Sequence, residues 1–125
     1  MVSTLFSHIE MIQGNNPWGK VLDAGTSINS LSWISQLNSE SWTAVTYTIN
    51  MKVDIQQIIS AKQRSQDRLL LGNWADSDFM INERFDTVIA DYLLGAVDGF
   101  MPSYWQIPLL YRLKSLTLNR FILLA

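Results

Sequence analysis

The sequence predicts an α/β domain built on a mainly parallel, doubly wound sheet. Three observations lead to this prediction: short apolar runs alternate with segments of helical periodicity, the run at 43–48 is rich in β-branched and aromatic residues, and a small-residue turn follows the first run. Strands that alternate with helices form parallel sheets with helices on both faces. Because parallel crossovers are right-handed, the topology is restricted to a doubly wound arrangement. Residues 1–125 are expected to form a single domain.

The predicted elements begin with a helix, which Gly, Asn and Pro at residues 14–17 end. Strands are expected at 20–23, 43–48, 69–71, 85–91 and 120–125. Further helices are expected at 28–37, 51–64 and 103–116, with residues 72–76 and much of 92–103 as loop. In the helix at 51–64, the helical period places Ile55, Ile58, Ile59 and the aliphatic stem of Lys62 on the inward face.

Composition indicates a globular protein and excludes several classes of site. Hydrophobic residues make up 48% and charged residues 16%, and the net charge is -2 without a basic run, so nucleic-acid binding has no support. The absence of cysteine excludes disulfides and thiolate sites, and His8 is the one histidine, so no metal site is expected. No apolar run approaches the ~20 residues of a membrane span, and a signal-peptide pattern is missing, so we expect a cytoplasmic protein without a membrane partner.

A carboxylate and a turn of small residues follow the first strand. Asp23 ends this strand, and Ala24, Gly25, Thr26 and Ser27 lead into the next helix. In a doubly wound sheet, such a turn lies at the carboxyl ends of the strands, where ligands bind. Gly25 permits close approach of a ligand to the backbone. The carboxylate of Asp23 suits an ammonium group or ribose hydroxyls.

The segment of residues 23–27 resembles motif I of the class I S-adenosylmethionine-dependent methyltransferases. The pattern of motif I is an acidic residue, any residue, Gly, any residue, Gly. Residues 85–91 resemble the fourth strand of that family, which ends in a polar residue beside the methyl group, and residues 17–19 lead into motif I as in the family. The resemblance covers roughly residues 14 to 125. It implies a Rossmann-like domain that binds S-adenosylmethionine and transfers its methyl group to an acceptor that the sequence does not identify.

The resemblance also implies roles for particular residues. Residues 23–27 and Asn50 are implied to bind the cofactor, with Asn73 facing the adenine amine and Trp74 stacking on the adenine ring. Asp76 is a second candidate for the amine.

At the sulfonium end of the cofactor, the resemblance implies Asp91 and Tyr92 as the catalytic residues. Tyr92 offers its aromatic face to the sulfonium, a cation–π contact of ~0.5–2 kcal/mol. Methyl transfer of this kind needs orientation and proximity and no metal.

Two positions depart from the family pattern. Ser27 stands where the second glycine is usual, and the second strand ends without an acidic residue for the ribose hydroxyls. Thr46, Thr48 and Asn50 are the polar groups nearby, and an amide makes a weaker contact there than a bidentate carboxylate.

Each candidate also has an ordinary structural interpretation. The carboxylates of Asp23 and Asp91 can cap the turns that follow them, and Ser27 can cap a helix. Asn50 and Asn73 are common turn residues. Trp74 can be a hydrophobic cover over the sheet.

Two other functions stay open. A nicotinamide-dinucleotide domain needs the motif G-x-G-x-x-G after its first strand and an acidic residue later in the chain. At that turn this chain has Gly25 as the single glycine, and its second strand ends without an acidic residue. A non-catalytic, methyltransferase-like interaction module is the other alternative. The family normally continues to a sixth and an antiparallel seventh strand, so we expect an incomplete fold that lacks its last two strands. We expect either that the sequence is truncated or that a second copy or a partner covers the exposed sheet edge.

Overall fold

A computed structural model describes residues 4–91 and 106–124, and these residues form a five-stranded parallel sheet. Its strands are β1 (Lys20–Asp23), β2 (Ser41–Thr46), β3 (Arg68–Leu71), β4 (Phe85–Asp91) and β5 (Thr117–Leu124). They lie in the order β3-β2-β1-β4-β5, and all four neighbouring pairs are parallel. The predicted doubly wound α/β architecture is confirmed.

Four helices connect or precede these strands in the described residues. They are α1 (Thr4–Gln13), α2 (Ile28–Ile34), α3 (Ile49–Ile59) and α4 (Gln106–Ser115). The strand β2 ends two residues before the predicted boundary because Thr48 caps α3, its side chain accepting a hydrogen bond from the backbone N–H of Met51 at 3.2 Å. A β-branched residue that favours strand in isolation therefore begins a helix here.

The first three helices pack on one face of the sheet. Their core includes a ring stack between Phe6 of α1 and Trp33 of α2, whose centroids are 4.4 Å apart. From α3, Ile55 and Ile59 are buried in the same cluster. The predictions for Ile58 and Lys62 were wrong. Ile58 is 53% exposed, because the buried stripe is formed by Ile55 and Ile59, which lie one turn apart. Lys62 is exposed and lies beyond the end of α3 at Ile59.

The opposite face of the sheet is covered by α4 and by residues 72–84. Leu109 and Leu113 of α4 pack against alternate residues of the central strands, among them Leu22 and Val88. Residues 72–84 contain no helix or strand and connect β3 to β4 through a series of turns. This irregular segment therefore takes a position that a helix takes elsewhere in the fold.

The connections divide the sheet at its centre. After β1 the chain proceeds outward to β2 and β3, and it then crosses back so that β4 pairs with the other side of β1. Strand order reverses between β1 and β4, and open α/β sheets bind ligands at the carboxyl ends of the strands beside such a reversal. The carboxyl end of β1 is thus the expected position of a site.

None of the helices in the described parts of the chain is long and apolar enough to cross a membrane.

Among the described residues, two glycines adopt a left-handed backbone, and only one of them also lies against a side chain. Gly19 has φ +64, and a Cβ placed there would lie 2.2 Å from Oδ2 of Asp86, the oxygen that accepts a hydrogen bond from the N–H of Lys20 at 2.8 Å. Gly14 has φ +58, but its nearest neighbour would be the carbonyl oxygen of Met11 at 4.0 Å.

We expect Gly19→Ala to lower the free energy of unfolding by about 2–3 kcal/mol, because it adds backbone strain and displaces Asp86 from its hydrogen bond. Gly14→Ala is the matched control and should cost about 1 kcal/mol, since only the backbone strain applies there. Urea denaturation measures both values. Equal losses in the two variants would contradict the role assigned to Asp86.

Candidate functional site

Two predicted acidic residues end neighbouring strands at the same edge of the sheet. Asp23 is the last residue of β1 and lies opposite Ile89 of β4. Asp91 is the last residue of β4, two positions further along. The parallel pairing of β1 and β4 therefore brings both strand ends to the carboxyl edge, beside the point where strand order reverses.

The turn after β1 is bonded to the strands on both sides of it. The N–H of Ala24 donates to the carbonyl of Ile89 in β4 at 2.9 Å. The N–H of Thr26 donates to the carbonyl of Val45 in β2, also at 2.9 Å. Because these bonds reach both neighbours, the backbone of the turn is held across the centre of the carboxyl edge.

The carboxylate of Asp23 is directed into its own turn. Its side chain has no exposed surface, and its Oδ2 accepts hydrogen bonds from the hydroxyls of Thr26 at 2.6 Å and Ser30 at 2.8 Å. This arrangement matches the structural interpretation of Asp23 as a residue that holds the turn. Ser30 was not predicted, because the sequence pattern of a capping box has Glu or Gln three residues after the cap, and this position is Ser.

Ser27 is the N-cap of α2. Its side chain accepts a hydrogen bond from the N–H of Ser30 at 3.1 Å, while its own N–H donates to Oγ of Ser30 at 3.0 Å. The backbone at Ser27 has φ -129 and ψ 170, an extended conformation open to any residue. The family's second glycine position is therefore filled by serine without backbone strain.

The carboxyl end of β2 presents Thr46 where the family has an acidic residue. Thr46 is 1% exposed, and its Oγ1 has no hydrogen-bond partner among the described residues. Asn50, the residue predicted for the ribose hydroxyls, lies exposed in the first turn of α3. The two polar groups thus differ strongly in environment, one buried in the sheet edge and one open to solvent.

Tyr47 directly follows β2 and was missed by the sequence analysis. Its side chain is half-buried and packs against the hydrophobic cluster that contains Trp74. Burial raises the pKa of Tyr47 from 10.0 to about 12, because desolvation disfavours the phenolate. Its place immediately after a strand end is the signal that could have identified it.

The residues after β3 form Asx turns. Oδ1 of Asn73 accepts a hydrogen bond from the N–H of Ala75 at 2.9 Å, and Oδ1 of Asp76 accepts one from the N–H of Asp78 at 3.0 Å. Asn73 and Asp76 are both exposed. Each oxygen keeps a second lone pair that can accept from a ligand amine.

Trp74 reaches from this segment to the turn after β1. Its Nε1 donates to the carbonyl oxygen of Ala24 at 2.6 Å, and the residue is only 3% exposed. Phe79 meets the indole edge-on at 5.0 Å, and the guanidinium of Arg112 lies 5.5 Å from the ring centroid. Stacking on an adenine ring would require the indole to leave these contacts.

The side chains of the two predicted catalytic residues are outside what the structure describes. Tyr92 is not described, and of Asp91 only the backbone is. Within the part of the chain that is described, no group of three or more His, Asp or Glu side chains could hold a metal ion.

Solved structures share this fold, among them structures of two methyltransferases. The glycopeptide N-methyltransferase MtfA complexed with S-adenosyl-L-methionine superposes with a TM-score of 0.73 at 18% identity, over 96% of this chain and 52% of that chain. Coclaurine N-methyltransferase, bound to N-methylheliamine and SAH, has a TM-score of 0.67 at 18% identity, over 95% of this chain and 33% of that one. The YcgJ protein of Bacillus subtilis has a TM-score of 0.68 at 14% identity, over 97% and 50%.

These likenesses assign the class I methyltransferase fold to the chain. The chain spans half or less of the length of YcgJ and coclaurine N-methyltransferase, and 52% of MtfA. No protein-family model matches the sequence, and no curated protein matches it either.

The raised pKa of Tyr47 predicts a loss of stability in alkaline solution. Below pH 10 the phenol is protonated in both the folded and the unfolded chain. Between pH 10 and about 12 the unfolded state loses its proton first, so the free energy of unfolding falls as the pH rises.

Tyr47→Phe removes this titration, so its free energy of unfolding should fall less than that of the native chain over this range. Tyr111→Phe, at an exposed position, controls for the loss of a tyrosine. Urea denaturation at about pH 9 and about pH 11 measures the difference. Parallel losses in native protein and Tyr47→Phe would show that the buried phenol makes no contribution.

Proposed function

We propose that this chain binds S-adenosylmethionine and forms the cofactor-binding part of a methyltransferase. The observation that carries the proposal is the turn of residues 23–27, bonded to both β2 and β4 at the reversal of strand order. A turn of this kind presents backbone groups to a ligand at the carboxyl edge. The likeness to solved methyltransferases that were crystallised with this cofactor or its analogues supports the same ligand.

The residues present fit such a cofactor in two respects. First, small residues form the turn, and Ser27 takes the second glycine position without strain. Second, the buried hydroxyl of Thr46 lacks a partner among the described residues at the end of β2, the strand end that receives the ribose in the family. A buried hydroxyl gains stability when a bound ligand completes its hydrogen bonding.

The proposed contacts extend from this turn to both sides. Residues 23–27 provide the backbone surface, and Asn50 offers its amide to the ribose hydroxyls. Oδ1 of Asn73 accepts from the adenine amine, with Asp76 as the alternative acceptor. The resemblance implies these roles, and the position of the residues at the carboxyl edge and their hydrogen-bonding capacity support them.

Asp91 and Tyr92 are proposed for the sulfonium end. A carboxylate and an aromatic face both attract a positive charge, and β4 ends next to β1.

When bound, S-adenosylmethionine supplies an electrophilic methyl group on a sulfonium, which an acceptor takes by direct displacement. The contribution of this chain is to bind and orient, since a fixed turn and fixed strand ends reduce the entropy that alignment costs. The acceptor is outside the proposal.

Calorimetric titration of the native chain with S-adenosylhomocysteine and, separately, with NAD tests the proposal. We expect saturable binding of S-adenosylhomocysteine and none of NAD. Binding of NAD alone would favour a nicotinamide-dinucleotide domain. Binding of neither compound would favour a non-catalytic interaction module. Either of these two results would overturn the proposed function.

Variants of Asn50 test the ribose contact. Asn50→Ala should weaken binding of S-adenosylhomocysteine by up to roughly tenfold, the loss expected for a neutral hydrogen bond. Asn50→Asp should strengthen it, because a carboxylate accepts from both ribose hydroxyls and lies favourably in the first turn of a helix.

Asn82→Ala is the matched control, since Asn82 is an exposed residue of the segment that precedes β4, away from the carboxyl edge. It should leave the affinity unchanged. Equal affinities of all three variants would remove Asn50 from the site.

A further inference from the structure

Arg112 of α4 uses its guanidinium to bind one short stretch of backbone. Its Nη1 donates to the carbonyl oxygens of Trp74 at 2.7 Å and Asp76 at 2.6 Å. Its Nη2 donates to the carbonyl oxygens of Ser77 at 3.3 Å and of Phe79. A planar fork of donors therefore bonds to four carbonyls within six residues of the chain.

The bound stretch, residues 74–79, depends on side chains for its shape. It contains no helix or strand, so few of its carbonyls are occupied by regular backbone bonding. Phe79 folds back against Gly72, where an added Cβ would lie 2.1 Å from the phenyl ring. Arg112 supplies the largest set of hydrogen bonds that this stretch receives from another described element.

The same stretch contacts the turn after β1 through one residue. Trp74, whose carbonyl binds Arg112, donates its Nε1–H to the carbonyl of Ala24 at 2.6 Å. The guanidinium also lies over the indole, 5.5 Å from its centroid, and so fixes the orientation of the ring. A continuous set of contacts thus connects α4 to the turn of residues 23–27.

We propose that Arg112 is a positioning residue of the cofactor site, acting through Trp74 on the backbone of Ala24. With Arg112 in place, the indole is held against the turn, and the turn is ordered before a ligand arrives. Ordering a turn during binding lowers affinity, so a pre-ordered turn binds more tightly. The effect on ligand affinity rests on the proposed function, whereas the effect on the turn does not.

The test uses Arg112→Met, which keeps much of the apolar stem and removes every donor. Arg68→Met is the matched control. Arg68 also binds the segment between β3 and β4, through Glu83 at 2.6 Å, and contacts Thr43 at 3.0 Å, but it is the first residue of β3 and so lies at the amino edge of the sheet. Loss of either arginine removes a bond to the segment, and only Arg112 is connected to the turn.

The first measurement is amide hydrogen exchange of residues 24–27 in the ligand-free chain. Arg112→Met should speed exchange in this turn by roughly tenfold, the size of effect common along coupled networks, and Arg68→Met should not. Trp74→Phe keeps an aromatic ring but removes the Nε1 donor, so it should give the same acceleration. The double variant that combines Arg112→Met with Trp74→Phe should exchange no faster than Arg112→Met alone, because both changes act through the bond from Trp74 to Ala24.

The second measurement is affinity for S-adenosylhomocysteine well below the unfolding temperature, where Arg112→Met should bind roughly tenfold more weakly than Arg68→Met. Arg112→Lys should recover only part of the affinity, because an ammonium cannot serve four carbonyls as a planar fork does. It also provides a folded variant if Arg112→Met fails to fold.

Unchanged exchange at residues 24–27, with only a lower unfolding temperature, would overturn the inference. If the native chain bound no S-adenosylhomocysteine, the proposed function would fail, and the exchange measurement would still decide the role of Arg112.

Discussion

Asp23 ends β1 with a carboxylate that has no exposed surface, and the hydroxyls of Thr26 and Ser30 bind it there. A buried carboxylate is costly unless hydrogen bonds compensate it, so the residues around it must supply donors. They do so from the turn and from the first helical turn of α2, which fixes where that helix begins. The shape of the carboxyl edge follows from how this one side chain is accommodated.

The position of the turn depends in addition on strand order. Because β2 and β4 flank β1, their carbonyls are available to the N–H groups of Ala24 and Thr26. The two departures from the methyltransferase pattern, at Ser27 and at Thr46, are accommodated by the local backbone and packing. Serine replaces glycine at position 27 because the backbone there is extended, and Thr46 replaces an acid with a smaller buried hydroxyl.

The opposite side of the site is built from contacts distant in sequence. Trp74 binds a carbonyl 50 residues away, and Arg112 binds carbonyls 33 to 38 residues away. An irregular segment is thereby given a defined shape without regular secondary structure. The same contacts bury the indole that the resemblance implied as a stacking partner for the adenine ring.

The sequence by itself determined the fold class, the number of strands and the identity of the turn at residues 23–27, because hydrophobic period, β-branched runs and small-residue turns are local signals. It also contained Ser27 as a candidate cap, which is the N-cap of α2. Tertiary structure alone decided that Trp74 is buried, that Ile58 is exposed and that Arg112 meets the segment after β3. Those outcomes depend on which elements pack against each other, and residues far apart in the chain become neighbours only after the sheet has assembled.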